Sequence, residues 1–229
     1  MKKIAILQSN YIPWKGYFDM IAKVDEFIFH DDLQYTKNDW RNRNKIKTKD
    51  GTIWLTIPCG SNEKRLISEV LLNDCSWQKK HMELIYLHYK KAPYYEEIRS
   101  FLENTYLTKK WNYLSEVNQF LIKYISKELL KIDTQFKNST DYQPEGLKSD
   151  RVLSLCKQAN ADIYLSGPSA QNYLKVENFF DEGIEIEWMD YSKYSEYPQL
   201  HPPFVHGVSI LDMIFNIGID DSQKMFVRK

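Results

Sequence analysis

The run QSNYIPWKGYF, from Gln8 to Phe18, gathers more binding chemistry than any other stretch of the chain. Gln8 offers an amide that both donates and accepts, and Tyr11, Trp14 and Tyr17 offer ring faces for stacking. Gly16 lets a ligand approach the start of a helix, where unpaired N–H groups favour anions. The alternative is that the same rings only pack the loop down. A second dense stretch, HDDLQYTKNDWRNRN, runs from His30 to Asn44. Asp31 and Asp32 can act as bases, orient a hydroxyl or amine, or hold Mg²⁺ through water. Arg41 and Arg43 carry guanidinium forks suited to carboxylate or phosphate. Both signs of charge in one loop point to a polar substrate. The competing reading is a solvated loop whose Asp–Arg pairs contribute little. A third stretch, YLSGPSAQNYL, runs from Tyr164 to Leu174 and puts small residues and hydroxyls after a strand, as an anion nest or an ordinary turn. Neither GxxxxGK[ST] nor GxGxxG occurs.

Metal and thiol chemistry find less support. Cys59, Cys75 and Cys156 are too widely spaced for a CxxC site, and the five histidines form no HExxH pair, so no metal is expected. Cys156 sits on the apolar side of a predicted helix and reads as an inert buried thiol. Cys59, at a strand end with His30 as a partner in space, leaves a cysteine nucleophile open as a third reading. His81 follows Trp77 by four and shares its helix face, as a core, surface or cleft residue.

These residues need elements to carry them. Lys3 to Gln8 reads as a buried strand, 16–24 as a helix and Glu26 to Phe29 as a second strand, together one βαβ step. The first loop then lies at the carboxyl edge of a sheet, where α/β folds bind ligands. Asn44–Thr48 and Thr52–Pro58 flank Lys49-Asp50-Gly51, a hairpin signal, and Leu66–Leu72 reads as a further strand. Helical spacing covers Trp77–Lys90, Tyr94–Tyr106 and Tyr113–Leu130. Thr134–Asn138, Asp162–Leu165 and Gly183–Trp188 read as strands. Ser149–Ala159 reads as a helix capped by Ser149, and Ser209–Ile217 as one ending at Gly218. The expected fold is α/β, a largely parallel sheet with a β-hairpin, in a single domain over residues 1–229 with a helical insertion at about 76–131.

Composition narrows the function. Lys+Arg and Asp+Glu are 31 each, so no global field favours nucleic acid or an anionic membrane, and nucleic acid is not an expected partner. A basic-aromatic strip from Tyr35 to Lys47 is the only counter-signal. No apolar run reaches the roughly 18 residues of a membrane span. The start MKKIAIL turns polar at Gln8, too early for a signal peptide, so a cytoplasmic location is expected. The 16 Tyr, 11 Phe and 6 Trp against 8 Gly suggest rings lining a cleft or an interface.

The strings QSNYIPWKGYFDMI, FHDDLQYTKNDWRNRNKIK, WLTIPC, YLSGPSAQNYL and YSEYPQLHPPFVHGVSILDMIFNIG together resemble the WbqC-like family, from about Ile4 to Gly218. The matching positions are Gln8, Tyr11, Pro13, Trp14, Gly16, Tyr17, Asp32, Gln34, Tyr35, Asn42, Arg43, Asn44, Ser166, Gly167, Pro168, Tyr173, Tyr197, Gln199 and Asp212. Members occur mainly in bacterial surface-polysaccharide and O-antigen gene clusters. The resemblance therefore implies an enzyme that modifies an amino sugar or its nucleotide-linked form, by acyl or aminoacyl transfer. On this reading Asp32 is the general base, Arg43 and Asn44 bind the carboxylate, phosphate or oxyanion, and the first-loop aromatics stack a ring. Gln34, Tyr35, Ser166, Gly167, Tyr173 and Gln199 complete the expected substrate site. The expected partner is a small molecule, a sugar or sugar nucleotide. A non-catalytic binding protein for a sugar nucleotide or an assembly partner is the alternative. Cofactor, acyl donor and oligomeric state stay open.

A more distant analogy links the first βαβ step to nucleotidyltransferase-like and class I synthetase-like domains. Those carry His-x-Gly-His where Trp14-Lys15-Gly16-Tyr17 stands here. Both histidines are absent, so the analogy bears on fold and not on ATP.

Overall fold

The N-terminal strand is apolar on both faces, the pattern of a strand covered from both sides. The computed structural model describes residues 1–226. In chain order, Lys3–Leu7 (β1), Lys15–Ala22 (α1) and Glu26–Phe29 (β2) lead to the hairpin strands Arg43–Thr48 (β3) and Gly51–Thr56 (β4). Helices Ser76–Tyr89 (α2), Arg99–Glu103 (α3) and Leu114–Tyr124 (α4) follow. The chain closes with Gln135–Asn138 (β5), Ser149–Gln158 (α5), Ile163–Ser166 (β6), Val176–Asp181 (α6), Glu185–Trp188 (β7) and Ile210–Lys224 (α7).

The fold is α/β. Five strands form one sheet in the order β5-β2-β1-β6-β7, each pair parallel, and β3 and β4 form a separate antiparallel ladder. Alternate residues reach opposite faces. Ala5, Phe27 and Phe29 join Phe18 and Ile21 of α1 in one core, which continues into α2, α4 and α7. Ile4, Ile6 and Ile28 face the other way, onto Val152, Leu155 and Cys156 of α5. From β1 the chain first builds outward through β2 to β5, then crosses back to β6 on the opposite side. Loops leaving β1 and β6 therefore part, and a crevice opens at their carboxyl ends.

Some local expectations are corrected. Leu66–Leu72 forms no strand: Ile67–Glu69 curls into a short turn of helix, closed by the Glu69 carboxylate accepting from Leu66 N at 2.8 Å. Tyr94–Tyr106 is not one regular helix; α3 is flanked by a tight turn at Tyr95–Ile98 and a widened one at Asn104–Thr108. Ser149 is the first residue of α5 and not its cap, because its hydroxyl accepts from Lys175 N at 3.0 Å. Gly218 does break helical geometry (φ 79°), but the helix resumes beyond it to Lys224.

At Gly218 both the positive φ and the space demand glycine. A Cβ there would lie 2.9 Å from the Tyr94 ring. Gly218→Ala is expected to lower stability by about 1–3 kcal/mol in urea unfolding. Gly207→Ala, where a Cβ meets nothing within 4 Å, is expected to leave the midpoint unchanged.

Candidate functional site

The loop after β1 is held almost entirely by its neighbours. Ser9 is buried, and its N–H donates to Asp31 Oδ1 at 2.8 Å. Asp31 also accepts from Gln119 Nε2 at 2.9 Å, and burial raises its carboxyl pKa. Asn118 donates to Ser9 O and Arg41 O, at 3.3 and 2.8 Å. Tyr11 N donates to Trp40 O at 3.0 Å. Asn44 donates to Tyr11 O at 3.1 Å and Ile12 O at 2.8 Å, and its Oδ1 accepts from Lys45 N. These bonds hold Ile12 at φ 35°, a costly value for a β-branched residue.

The rings of this loop divide between packing and lining. Tyr11 is wholly buried, its hydroxyl bonded to His81 Nδ1 at 2.8 Å and Tyr106 at 2.7 Å. Tyr17 is buried and donates to Gln8 O at 2.9 Å. Gly16 opens no path for a ligand to α1: the Trp14 indole fills that space, 2.3 Å from where a Cβ would stand. Trp14 in turn packs on Tyr191 and Tyr194, with centroids at 5.1 and 5.8 Å. Beside it Lys15 is buried, its ammonium donating to Ser195 O and lying 5.2–5.3 Å from the rings of Tyr194, Tyr197 and Phe204. Burial lowers its pKa. This cation clasps the segment after β7 onto α1.

Two cavities flank the loop. The larger, about 580 Å³, lies at the carboxyl ends of β1, β2 and β6 and is lined by Gln8, His30, Lys148, Arg151, Tyr164 and Tyr173, with apolar residues between. The smaller, about 330 Å³, is lined by Asn10, Pro13, Trp14, Trp40, Asn44 and Gly207. Gln8 and Tyr173 thus face one cavity, and Trp14 and Asn44 the other.

The floor of the larger cavity is an ionic network. Arg151 Nε donates to His30 Nε2 at 3.3 Å, Nη1 to Pro144 O at 2.8 Å, and Nη2 to Asp32. Asp32 accepts from Ser139 with its other oxygen, and its Oδ1 lies 3.6 Å from His30 Nε2. Burial works to raise the Asp32 carboxyl, but the Ser139 hydroxyl, His30 and Arg151 together hold it below the ordinary range. Burial, aided by Arg151, pulls His30 down to about 4 against the pull of Asp32. His30 is therefore neutral at pH 7, and the bond from Arg151 leaves its proton on Nδ1.

The other expected site residues are scattered. Arg43 lays its guanidinium over the Trp54 ring at 4.2 Å. Gln34 bridges to Leu66, and buried Tyr35 lies beneath the Arg65 guanidinium. Ser166 donates to the Tyr164 hydroxyl at 3.3 Å, and Gly167 follows it at the sheet edge. Gln199 donates to Asp212 Oδ1 at 2.8 Å and closes a loop through both polar atoms of Val205. Asp212 also accepts from Tyr89 and Tyr197, and burial raises its pKa. Cys59 is buried, which pushes its thiol up to about 11, away from the thiolate a nucleophile needs. Among the described residues no group of three His, Cys, Asp or Glu is placed to hold a metal, and no helix is long and apolar enough to cross a membrane.

Sequence reasoning missed His30 as a cavity residue, named Tyr164 only as the start of the third stretch, and missed Lys148 and Arg151 as site residues. Their signal is topological: the helix preceding β6 borders the crevice only once β6 is known to sit beside β1.

A model of the WbqC-like protein family matches residues 8–224. The chain belongs to this family. The matched residues include all the described lining of the smaller cavity and most of that of the larger. The chain is also similar to an uncharacterized protein of Mycobacterium tuberculosis, 46% identical over 222 residues that cover 96% of each chain.

Two predictions come from this geometry. Asn44→Ala strips the buried Tyr11 and Ile12 carbonyls of their donor and is expected to cost about 2–3 kcal/mol in chemical denaturation. The second concerns acid. His30 and His81 both drop from 6.5 to about 4 through burial, so between those pH values only the unfolded chain takes up these protons. Stability is expected to fall as pH drops through that window, by roughly 3 kcal/mol for each ring. Asp31 and Asp212, with raised pKa values, act in the opposite direction. Urea unfolding from pH 7.5 to 4.5 measures the net slope, and His81→Gln should flatten it.

Proposed function

We propose that this WbqC-like protein is a bacterial surface-polysaccharide enzyme, transferring an acyl or aminoacyl group to an amino sugar or its nucleotide-linked form. The observation that supports this best is the cationic crevice at the β1/β6 edge. Its volume of about 580 Å³ falls in the range of small-molecule sites. Of the five guanidinium N–H groups of Arg151, three serve His30, Pro144 and Asp32, which leaves two for a ligand. Lys148 lines the same cavity without an ion pair among the described residues. Phosphate or pyrophosphate suits this set, with Gln8 and Tyr173 free to bind hydroxyls.

In the transfer, the sugar amine forms a bond to the acyl carbonyl carbon, the bond to the donor's leaving group breaks, and the amine proton departs with that group. Negative charge builds on the carbonyl oxygen. A neutral imidazole with its proton on Nδ1 is suited to donate to that oxygen, so His30 takes the oxyanion role. Asp32, with both oxygens already accepting, orients Arg151, which in turn holds His30. This differs from the base role expected from sequence, and Asn44, whose amide is committed to backbone, becomes a loop-holding residue.

Nucleotide-linked amino sugars incubated with acyl thioesters, followed by mass spectrometry, test the reaction: an amide product supports it, and binding without turnover leaves a recognition protein. Lys148→Ala is expected to weaken uridine monophosphate roughly tenfold in calorimetry while stability stays within about 0.5 kcal/mol. Unchanged affinity would refute the crevice as the anion site.

A further inference from the structure

The smaller cavity differs from the crevice in one respect that identifies its occupant. Among the described residues no charged side chain lines it. Its walls are two indoles and a proline ring, and its polar groups are Asn10 and Asn44. Every donor and acceptor of Asn44 is already engaged with backbone. The Asn10 amide, by contrast, has no partner among the described residues, so it is the group available to read a ligand. Trp14 is fixed in place by Tyr191, Tyr194 and the bare face of Gly16. Trp40 is 45% exposed and meets Trp54 at 5.3 Å, which leaves much of its indole open.

A phosphate would find no counter-charge here. An acyl chain would fill the apolar part but leave the Asn10 amide without a partner. A neutral hexose ring satisfies both, with C–H faces against indole and hydroxyls toward the amide. Gln8 lines the cationic crevice and Asn10 the neutral cavity, so the two cavities border the same loop two residues apart. We infer that the Trp14–Trp40 cavity is a saccharide subsite that takes the uncharged ring of a sugar whose phosphate lies in the Arg151 crevice. The ring assignment stands on the neutrality of this cavity; its coupling to a phosphate rests on the proposed function.

The test titrates two probes separately, methyl β-glucopyranoside and uridine monophosphate, by ligand-observed NMR. Wild type, Trp40→Ala, Asn10→Ala and Lys148→Ala are compared, with folding checked by thermal melts. Trp40→Ala and Asn10→Ala are each expected to weaken the glycoside roughly tenfold and leave uridine monophosphate unchanged, and Lys148→Ala to do the reverse. The inference is overturned if the glycoside does not bind wild type at millimolar concentration, or binds Trp40→Ala equally well. It is also overturned if uridine, tested as the free nucleoside, is the probe that loses affinity in Trp40→Ala. If the glycoside responds as expected and the monophosphate binds nowhere, the saccharide subsite stands and the crevice reading fails.

Discussion

The Asp31 carboxylate, accepting the Ser9 amide at the joined carboxyl ends of β1 and β2, is the contact on which the site depends. It turns the chain sharply out of the sheet directly after Gln8. A buried carboxylate is costly without donors, and Gln119 supplies the second. Asn118 and Asn44 then catch the carbonyls that the turn leaves behind. Three amide side chains from α4 and β3 thereby fix a loop with no regular structure of its own. A loop held this way costs little ordering entropy when a ligand arrives.

The consequence is a partition of charge. On one side of the loop, Arg151, Lys148 and the Asp32–His30 pair make a polar floor under the sheet edge. On the other, indoles and an unengaged amide make a neutral wall. The side chains that create this contrast come from segments far apart in the chain: the end of β2 and the start of α5 for one cavity, and the loops before α1 and β3 for the other.

That separation explains what the sequence could and could not reveal. The first βαβ step was legible because short apolar runs bounded by polar loops have few other fates. The hairpin was legible because Asp50-Gly51 needs a tight turn, and Gly51 does take φ 122°. The partition of the aromatics was not legible. Tyr11 is buried and Trp14 lines a cavity because of His81, Tyr106, Tyr191 and Tyr194, residues about 70 to 180 positions away. Asn44 read as a ligand-binding amide for the same reason: nothing local shows that its donors go to Tyr11 and Ile12. Arg151 was invisible as a site residue because its importance comes from strand order, which a single sequence does not display.

The join between the β1–α1 loop and the segment around Ser209 carries a consequence for biosynthesis. Trp14 pairs with Ser209, and Pro13 O accepts from Ile210 N at 2.9 Å. Lys15 finds its ring of aromatics only in Tyr194, Tyr197 and Phe204. On the ribosome, β1 and β2 can meet early, but the loop between β1 and α1 waits for residues made roughly 180 to 195 positions later. Until then Trp14 lacks the Tyr191 and Tyr194 rings that cover it. The same delay keeps the neutral cavity from forming until Gly207 and Ser209 have been made.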